Sequence, residues 1–370
     1  MLGNESIGSN SFPYIALMSF GNSLFYMADG SVVSDKTARP AVLAVEDITW
    51  ETTTSTDLGL DVNFLNNRLQ FHFDYYWKET KDMLLNIEIP YFMGYNNPST
   101  NAGKMSTHGY DIEVAWNDQI GDFKYGVNVN FSDFLSKIDY MNDGEQISGG
   151  KIKRAGVLFN EFYGYVCESI YQTQEEVNNS ARASTTVTVG DLKYHDISGP
   201  DGVPDGVISP EYDRVPLGNS LPRYQYGGSL NASYKGIDFS LAFQGIGKQN
   251  SDRSTSMVQP LRDNFGNVPS ILEGKYWSPF NTAEENLSAK YPRLSNVSKN
   301  NNYATSSFWM FNGSYFRLKN LTLGYTLPET WTQKAGINRV PFYVSGSDLF
   351  CLSNFPDGWD PEMSYKAYPI

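Results

Sequence analysis

Strict two-residue alternation of apolar and polar side chains is the feature that most restricts this chain, because only an extended strand sends successive side chains to opposite faces. Leu58, Leu60, Val62 and Phe64 share one face, while Asp57, Gly59, Asp61 and Asn63 share the other. After a four-residue junction, Leu65 to Arg68, Leu69, Phe71, Phe73, Tyr75 and Trp77 oppose Gln70, His72, Asp74 and Tyr76. The pattern returns with Tyr110, Ile112, Val114 and Trp116, then with Tyr125, Val127, Val129 and Phe131, linked through Asn117 to Phe123. A third hairpin joins Leu230, Ala232 and Tyr234 to Ile237, Phe239, Leu241 and Phe243 around Lys235-Gly236. The last pair runs from Tyr315 to Thr326 and from Arg339 to Phe350, and its first strand changes phase near Asn320, which predicts a bulge.

Eight strands in four hairpins make an all-β protein, and the connections between hairpins decide which kind. Roughly 78–107, 136–223 and 247–312 are long, and loops of that length are uncommon inside a compact soluble domain. Short turns at one end and long loops at the other mark outer-membrane barrels, whose long loops are extracellular. No run of 18 apolar residues exists, which excludes membrane helices but not spanning strands, since these need only alternate residues apolar. The polar faces carry few lysines, and the apolar faces end in aromatics such as Tyr75, Trp77 and Trp116, as at a membrane interface. The reading is therefore a partial antiparallel transmembrane β-barrel in outer-membrane lipid. A passive porin shares that barrel, and a soluble carbohydrate-binding β-sandwich also alternates, so both remain open.

A net charge of −13 offers no basic stripe to phosphates, which excludes a nucleic-acid partner. Cys167 and Cys351 are too few for a disulfide framework and too far apart for a zinc pair, and are expected to be small buried apolar residues. Met1 to Ser6 has neither a basic nor an apolar signal region, so a barrel chain of this kind is expected to start inside a longer reading frame.

Chemistry-bearing clusters are sparse. The histidines His72, His108 and His195 sit in separate segments with no nucleophile motif beside them, and Asp111 and Glu113 read as lumen polarity rather than a glycosidase pair. The residues give no enzyme reading. Asp196, Asp201 and Asp205 lie in an Asp-Gly-rich stretch that resembles a calcium loop, although Gly199 and Pro200 break the usual spacing. The competing reading is an acidic surface turn. Loop aromatics are the other candidates: Tyr91, Phe92 and Tyr95 in the first loop, Phe162, Tyr163 and Tyr165 in the second, Tyr276, Trp277 and Trp309 in the third. Flat rings flanked by Asn and Asp suit stacking on sugar C–H faces; equally, they suit packing between loops or contact with a lid protein.

Several ordered stretches resemble the SusC/RagA-like family of TonB-linked outer-membrane transporters. They include Leu2 to Gly8, Ile48 to Asp61, Asp74 to Leu84, Asn101 to Met105, Phe162 to Tyr165 and Gly190 to Asp196. Phe243-Gln244-Gly245, Tyr291 to Leu294, Tyr315 to Pro328 and Asp360-Pro361-Glu362 complete the series. The resemblance implies a 22-stranded plugged barrel importing oligosaccharides or, less often, peptides. It also implies energy from the TonB complex and a SusD-like surface lipoprotein as lid. No TonB box or plug is legible in residues 1–370, so the whole chain is expected to be the C-terminal part of such a barrel. Strand parity leaves the chain outside at Phe355, and one further inward strand with an aromatic end is expected beyond Ile370.

Overall fold

The computed structural model describes Ile15 and residues 18–41, 43–87, 89–142, 144–252, 258–261, 267–355 and 359–362. The Leu2 to Gly8 stretch and Tyr368 to Ile370 lie outside the described residues, as does any strand after them.

Eight strands form one sheet: β1 (Thr52–Phe64), β2 (Leu69–Asn86), β3 (Ser99–Ile120), β4 (Phe123–Met141), β5 (Arg223–Tyr234), β6 (Ile237–Lys248), β7 (Tyr315–Thr326) and β8 (Pro341–Ser353). Each pairs antiparallel with its neighbour in sequence, a pure meander with β1 and β8 at its edges. A single curved wall, rather than two packed sheets, removes the sandwich alternative.

Register carries the alternation across the whole wall. Leu230, Leu241 and Leu321 line up in one row, with Ala232, Phe239, Leu323 and Val344 in the row below and Tyr234, Ile237 and Tyr325 beneath that. These side chains stay open: Leu58, Leu60, Leu323 and Val344 are all exposed. An apolar face left uncovered on every strand is the surface that lipid covers. Aromatic rings gather towards the two ends of the strands. Phe123 stacks on Tyr125 near the short turns, and Phe131 stacks on Tyr224 towards the long loops.

The short turns are built by residues that accept positive φ. Lys235 and Gly236 sit at φ +46° and +86°, as a two-residue hairpin turn matched to strand twist requires, and a Cβ on Gly236 would press on the Thr326 carbonyl. Leu65, Asn66 and Asn67 occupy the same region between β1 and β2. The link expected over Asn117 to Phe123 is tighter than that, only Gly121-Asp122, because β3 and β4 continue past the apolar stretch.

The same extension corrects the first long loop. β2 runs to Asn86 and β3 starts at Ser99, so the connection is 87–98 rather than 78–107. With 18 and 22 residues, these strands exceed the roughly 9–11 needed to cross a bilayer and project outside it. There water meets both faces, so alternation has no cause. The phase change near Asn320 is a bulge: Asn320 pairs with Ala242 and Leu318 with Phe243, leaving Lys319 extra against β6, while on the other side Asp348, at φ +51°, and Leu349 together stand opposite Lys319.

The second and third long connections carry short strands, such as Glu161–Tyr165, Leu192–Tyr194 and Arg214–Asn219, and helices of no more than six residues. They share one apolar core in which Leu192, Val258, Leu272 and Trp309 are almost fully buried. A separate hairpin, Met18–Tyr26 with Val32–Pro40, was not legible as strands in the sequence. The second and third connections together make a folded roof above the wall.

Candidate substrate path

The inner face of the wall is a hydrogen-bonding surface. One row, in register, reads Asp61, His72, Glu113, Asn130, Gly227, Gln244 and Arg317. His72 Nδ1 meets Asp61 Oδ1 at 2.5 Å, and Asn128 donates to Glu113 at 2.7 Å. At the short-turn end this concave face encloses about 830 Å3 between Asn117, Lys124, Asn231, Asp238 and Thr322. Amides, hydroxyls and carboxylates there can bind polar groups weakly and in many places. His195 pairs with Glu168 and His108 lies opposite Trp77, so the three histidines remain apart.

The roof is held by buried polar knots between distant segments. Asp191, fully buried, accepts from Arg293 Nε at 2.7 Å, Ser298 Oγ at 2.7 Å, Asn302 Nδ2 at 2.8 Å and the Thr188 amide at 2.9 Å. Asn302 in turn accepts from the Leu192 amide, and the Trp309 indole donates to the Asn302 carbonyl. The preceding Gly190, at φ +86°, leaves no room for a Cβ beside the Trp277 ring. A second knot ties the segment after β8 to the wall. Arg317 forks onto Asp360 at 2.5 and 3.0 Å, while Glu362 receives Gln244 and Lys319 at 2.7 and 2.8 Å. The Arg317 guanidinium holds the Asp360 carboxyl below its ordinary range. Trp359 packs on the roof core, so residues 359–362 join roof to wall. A third knot closes the base of the first loop: the Asn101 amide bridges Thr49 and Asp82, and Glu51 accepts from the Leu84 amide.

The aromatic candidates separate by burial. Trp309 is 1% exposed, Phe162 and Tyr165 7% and Trp277 9%, so stacking on a ligand is not open to these four; they pack the loops against one another. Tyr276 is half-buried against the same core. Phe92 is 88% exposed at the turn Tyr91–Met93, Tyr95 is half-buried nearby, and Tyr163 is half-buried at the edge of a roof cleft. The calcium cage expected from Asp196, Asp201 and Asp205 is not assembled. Asp196 Oδ2 accepts from the Gly206 amide and Asp205 Oδ1 from the Val207 amide, and Asp201 points to solvent. Among the described residues no three His, Cys, Asp or Glu side chains gather in a metal-holding group. Asp213, just beyond the Asp-Gly stretch, organises it by accepting from the Ile197, Ser198 and Ser209 amides.

Burial keeps the roof's weak acids neutral. The Cys167 thiol is pushed up to about 12, as is the Tyr171 hydroxyl, and desolvation raises Tyr194 and Tyr303 as well. Such groups hold their protons and pack.

The family described as TonB dependent receptor-like, beta-barrel, matches residues 18–338. TonB-dependent receptor P3 of Formosa agariphila is 30% identical over 379 residues, covering 98% of this chain and 35% of its own length. TonB-dependent receptor SusC of Bacteroides thetaiotaomicron is 26% identical over 374 residues, covering 98% of this chain and 34% of its own. The RagAB peptide transporter structure shares the fold, with a TM-score of 0.68 at 21% identity over 95% of this chain and 36% of that one. The chain thus spans about a third of the length of these relatives. A wall of lipid-facing strands under a folded roof, matched along nearly its whole length, belongs to the TonB-dependent receptor-like β-barrels of the outer membrane, of the SusC and RagA kind.

Proposed function

We propose that this chain is the C-terminal part of a TonB-dependent outer-membrane importer, and that the complete protein takes up oligosaccharides with a SusD-like lipoprotein as lid. The observation that carries the reading is the pairing of a polar inner wall with a roof that has its own core. A passive pore needs a wall but not a packed domain above it. A roof bolted to the wall through residues 359–362 suits a gate at which a ligand and a lid protein meet.

Among the described residues the wall has eight strands, with β1 and β8 at its edges, and a sheet edge left open in lipid costs several kcal/mol per unpaired backbone group unless other strands close the barrel. Closure by further strands answers that cost, and the reading adds energy coupling through a plug and the TonB complex. Half-buried Tyr163, in a cleft lined also by Gln259, Asn300 and Thr305, supports saccharide cargo.

The decisive experiment is uptake of labelled oligosaccharides by cells expressing the complete protein, with and without TonB. Uptake that needs TonB, together with co-purification of the lipoprotein, is the expected result. Uptake that persists without TonB restores the porin, and uptake of labelled peptides alone replaces the cargo.

A further inference from the structure

A cleft of about 680 Å3 opens in the roof between the turn at Gly149-Gly150, the strand Glu161–Tyr165, the start of Arg214–Asn219 and the helix Lys299–Asn302. Its size is within the roughly 300–1,000 Å3 of small-molecule sites. The floor is rigid: the Tyr165 amide donates to the Thr305 carbonyl at 3.0 Å, and the Ser307 amide to the Tyr165 carbonyl at 2.9 Å. Two glycines permit this approach, since a Cβ on Gly150 or Gly164 would collide with Thr305.

The lining is unusual for this chain. Acidic residues outnumber basic ones 41 to 28, yet among the described lining residues there is no carboxylate, and of the two cations Lys299 has a partner of its own, which leaves Arg214. Arg223, Arg293 and Arg317 each hold a carboxylate. Arg214 instead lies over the Tyr165 ring, 5.5 Å from its centre, and forms no ion pair among the described residues. Tyr165 is itself stacked on Tyr194, so the ring that orients the guanidinium is fixed. An oriented guanidinium fork matches a carboxylate or a sulfate. Beside it, Tyr163 offers a ring, and Gln259 and Asn300 offer amides for hydroxyl groups.

We propose that this cleft binds a negatively charged sugar unit of the incoming oligosaccharide, carboxylated or sulfated, with Arg214 as the anion clamp. The inference rests on the reading of the protein as an oligosaccharide importer. It predicts that charge on the sugar, not length alone, governs recognition at the roof.

The test is calorimetric titration of the complete purified transporter with four probes of equal length: tri-galacturonate, a sulfated galactose trisaccharide, neutral galactotriose and tri-aspartate. Tri-galacturonate or the sulfated sugar should bind at least about ten-fold tighter than galactotriose, since each charge-assisted contact is worth about 1.5–3 kcal/mol. Which of the two wins identifies the anion. Arg214→Gln should weaken charged-sugar binding at least about ten-fold more than galactotriose binding, and Arg214→Lys should retain part of the preference. Equal binding of charged and neutral sugars overturns the clamp and leaves the importer standing. Equal losses for charged and neutral sugars in Arg214→Gln overturn it too. If only tri-aspartate binds, the saccharide reading falls with it. The preference in the unsubstituted protein decides the matter even if the variants do not assemble.

Discussion

Wall and roof are made by opposite rules. In the wall, each strand pairs only with the wall strands next to it in sequence, and one side chain in two faces lipid whatever lies around it. Order is local and repetitive. In the roof, residues separated by more than a hundred positions, such as Asp191 and Asn302, meet in single buried contacts with no period. The wall can therefore absorb many substitutions within its pattern, whereas the roof depends on a few irreplaceable groups.

Removing one such group should have the largest effect. Asp191→Ala strands the Arg293 guanidinium and the Asn302 amide without their acceptor, a loss of about 3–5 kcal/mol for a broken buried pair. The roof should become protease-sensitive on intact cells while the wall keeps its heat-dependent gel mobility. If wall and roof were lost together, they would be one cooperative unit and the contrast would fail.

The wall has its own sharp test in adjacent residues on opposite faces. Leu241, in the middle apolar row, faces lipid, and Leu241→Arg should cost about 2–4 kcal/mol of folding into bilayers. Ser240, beside it, hydrogen-bonds Asn231 on the inner face, and Ser240→Arg should be nearly neutral. Urea titration in lipid vesicles compares them, and equal costs would mean that the assigned faces are wrong. A smaller effect belongs to the turn. Gly236→Val forces a branched side chain into φ +86° and should cost about 1–2 kcal/mol, slowing wall folding without changing roof protease resistance.

This division explains what the sequence disclosed. Leu58 to Phe64 announced a strand because lipid on one face and polar groups on the other impose the period. Lys78 to Asn86, part of the same strand β2, announced nothing, since above the bilayer both faces are wet. The roof's phrases were visible but not their partnership. Gly190-Asp191 and Tyr291-Pro292-Arg293 are two halves of one knot, as are Arg317 and Asp360-Pro361-Glu362, and no spacing rule links segments so far apart. The Asp-Gly stretch was ambiguous because carboxylates that serve their own backbone amides look, in sequence, like carboxylates waiting for a cation. Buried Trp277 and Trp309 were ambiguous in the same way, since a ring that packs loops has the same neighbours in sequence as a ring that stacks on sugar.

The smallest effect separates the two regions by acidity. Glu168 is the extra residue where Cys167–Ile170 pairs with Leu192–Tyr194, and it accepts from His195 at 2.7 Å and Lys193 at 3.1 Å. The His195 contact, and then Lys193, hold its carboxyl below the ordinary value of 4.5. A carboxyl depressed by folding adds stability above its unfolded pKa and loses it as pH falls through the folded one. The contribution is thus whole at neutral pH and fades below about pH 4. With the pair partly in solvent, it amounts to less than about 1 kcal/mol. Protease cleavage of the roof should therefore accelerate between pH 5 and pH 3 by about two-fold more in the parent than in Glu168→Gln, which has no charge to lose. Parallel acid profiles in the two proteins would place the acid-sensitive contact elsewhere in the roof, and an equal acceleration of wall unfolding would erase the distinction between the regions.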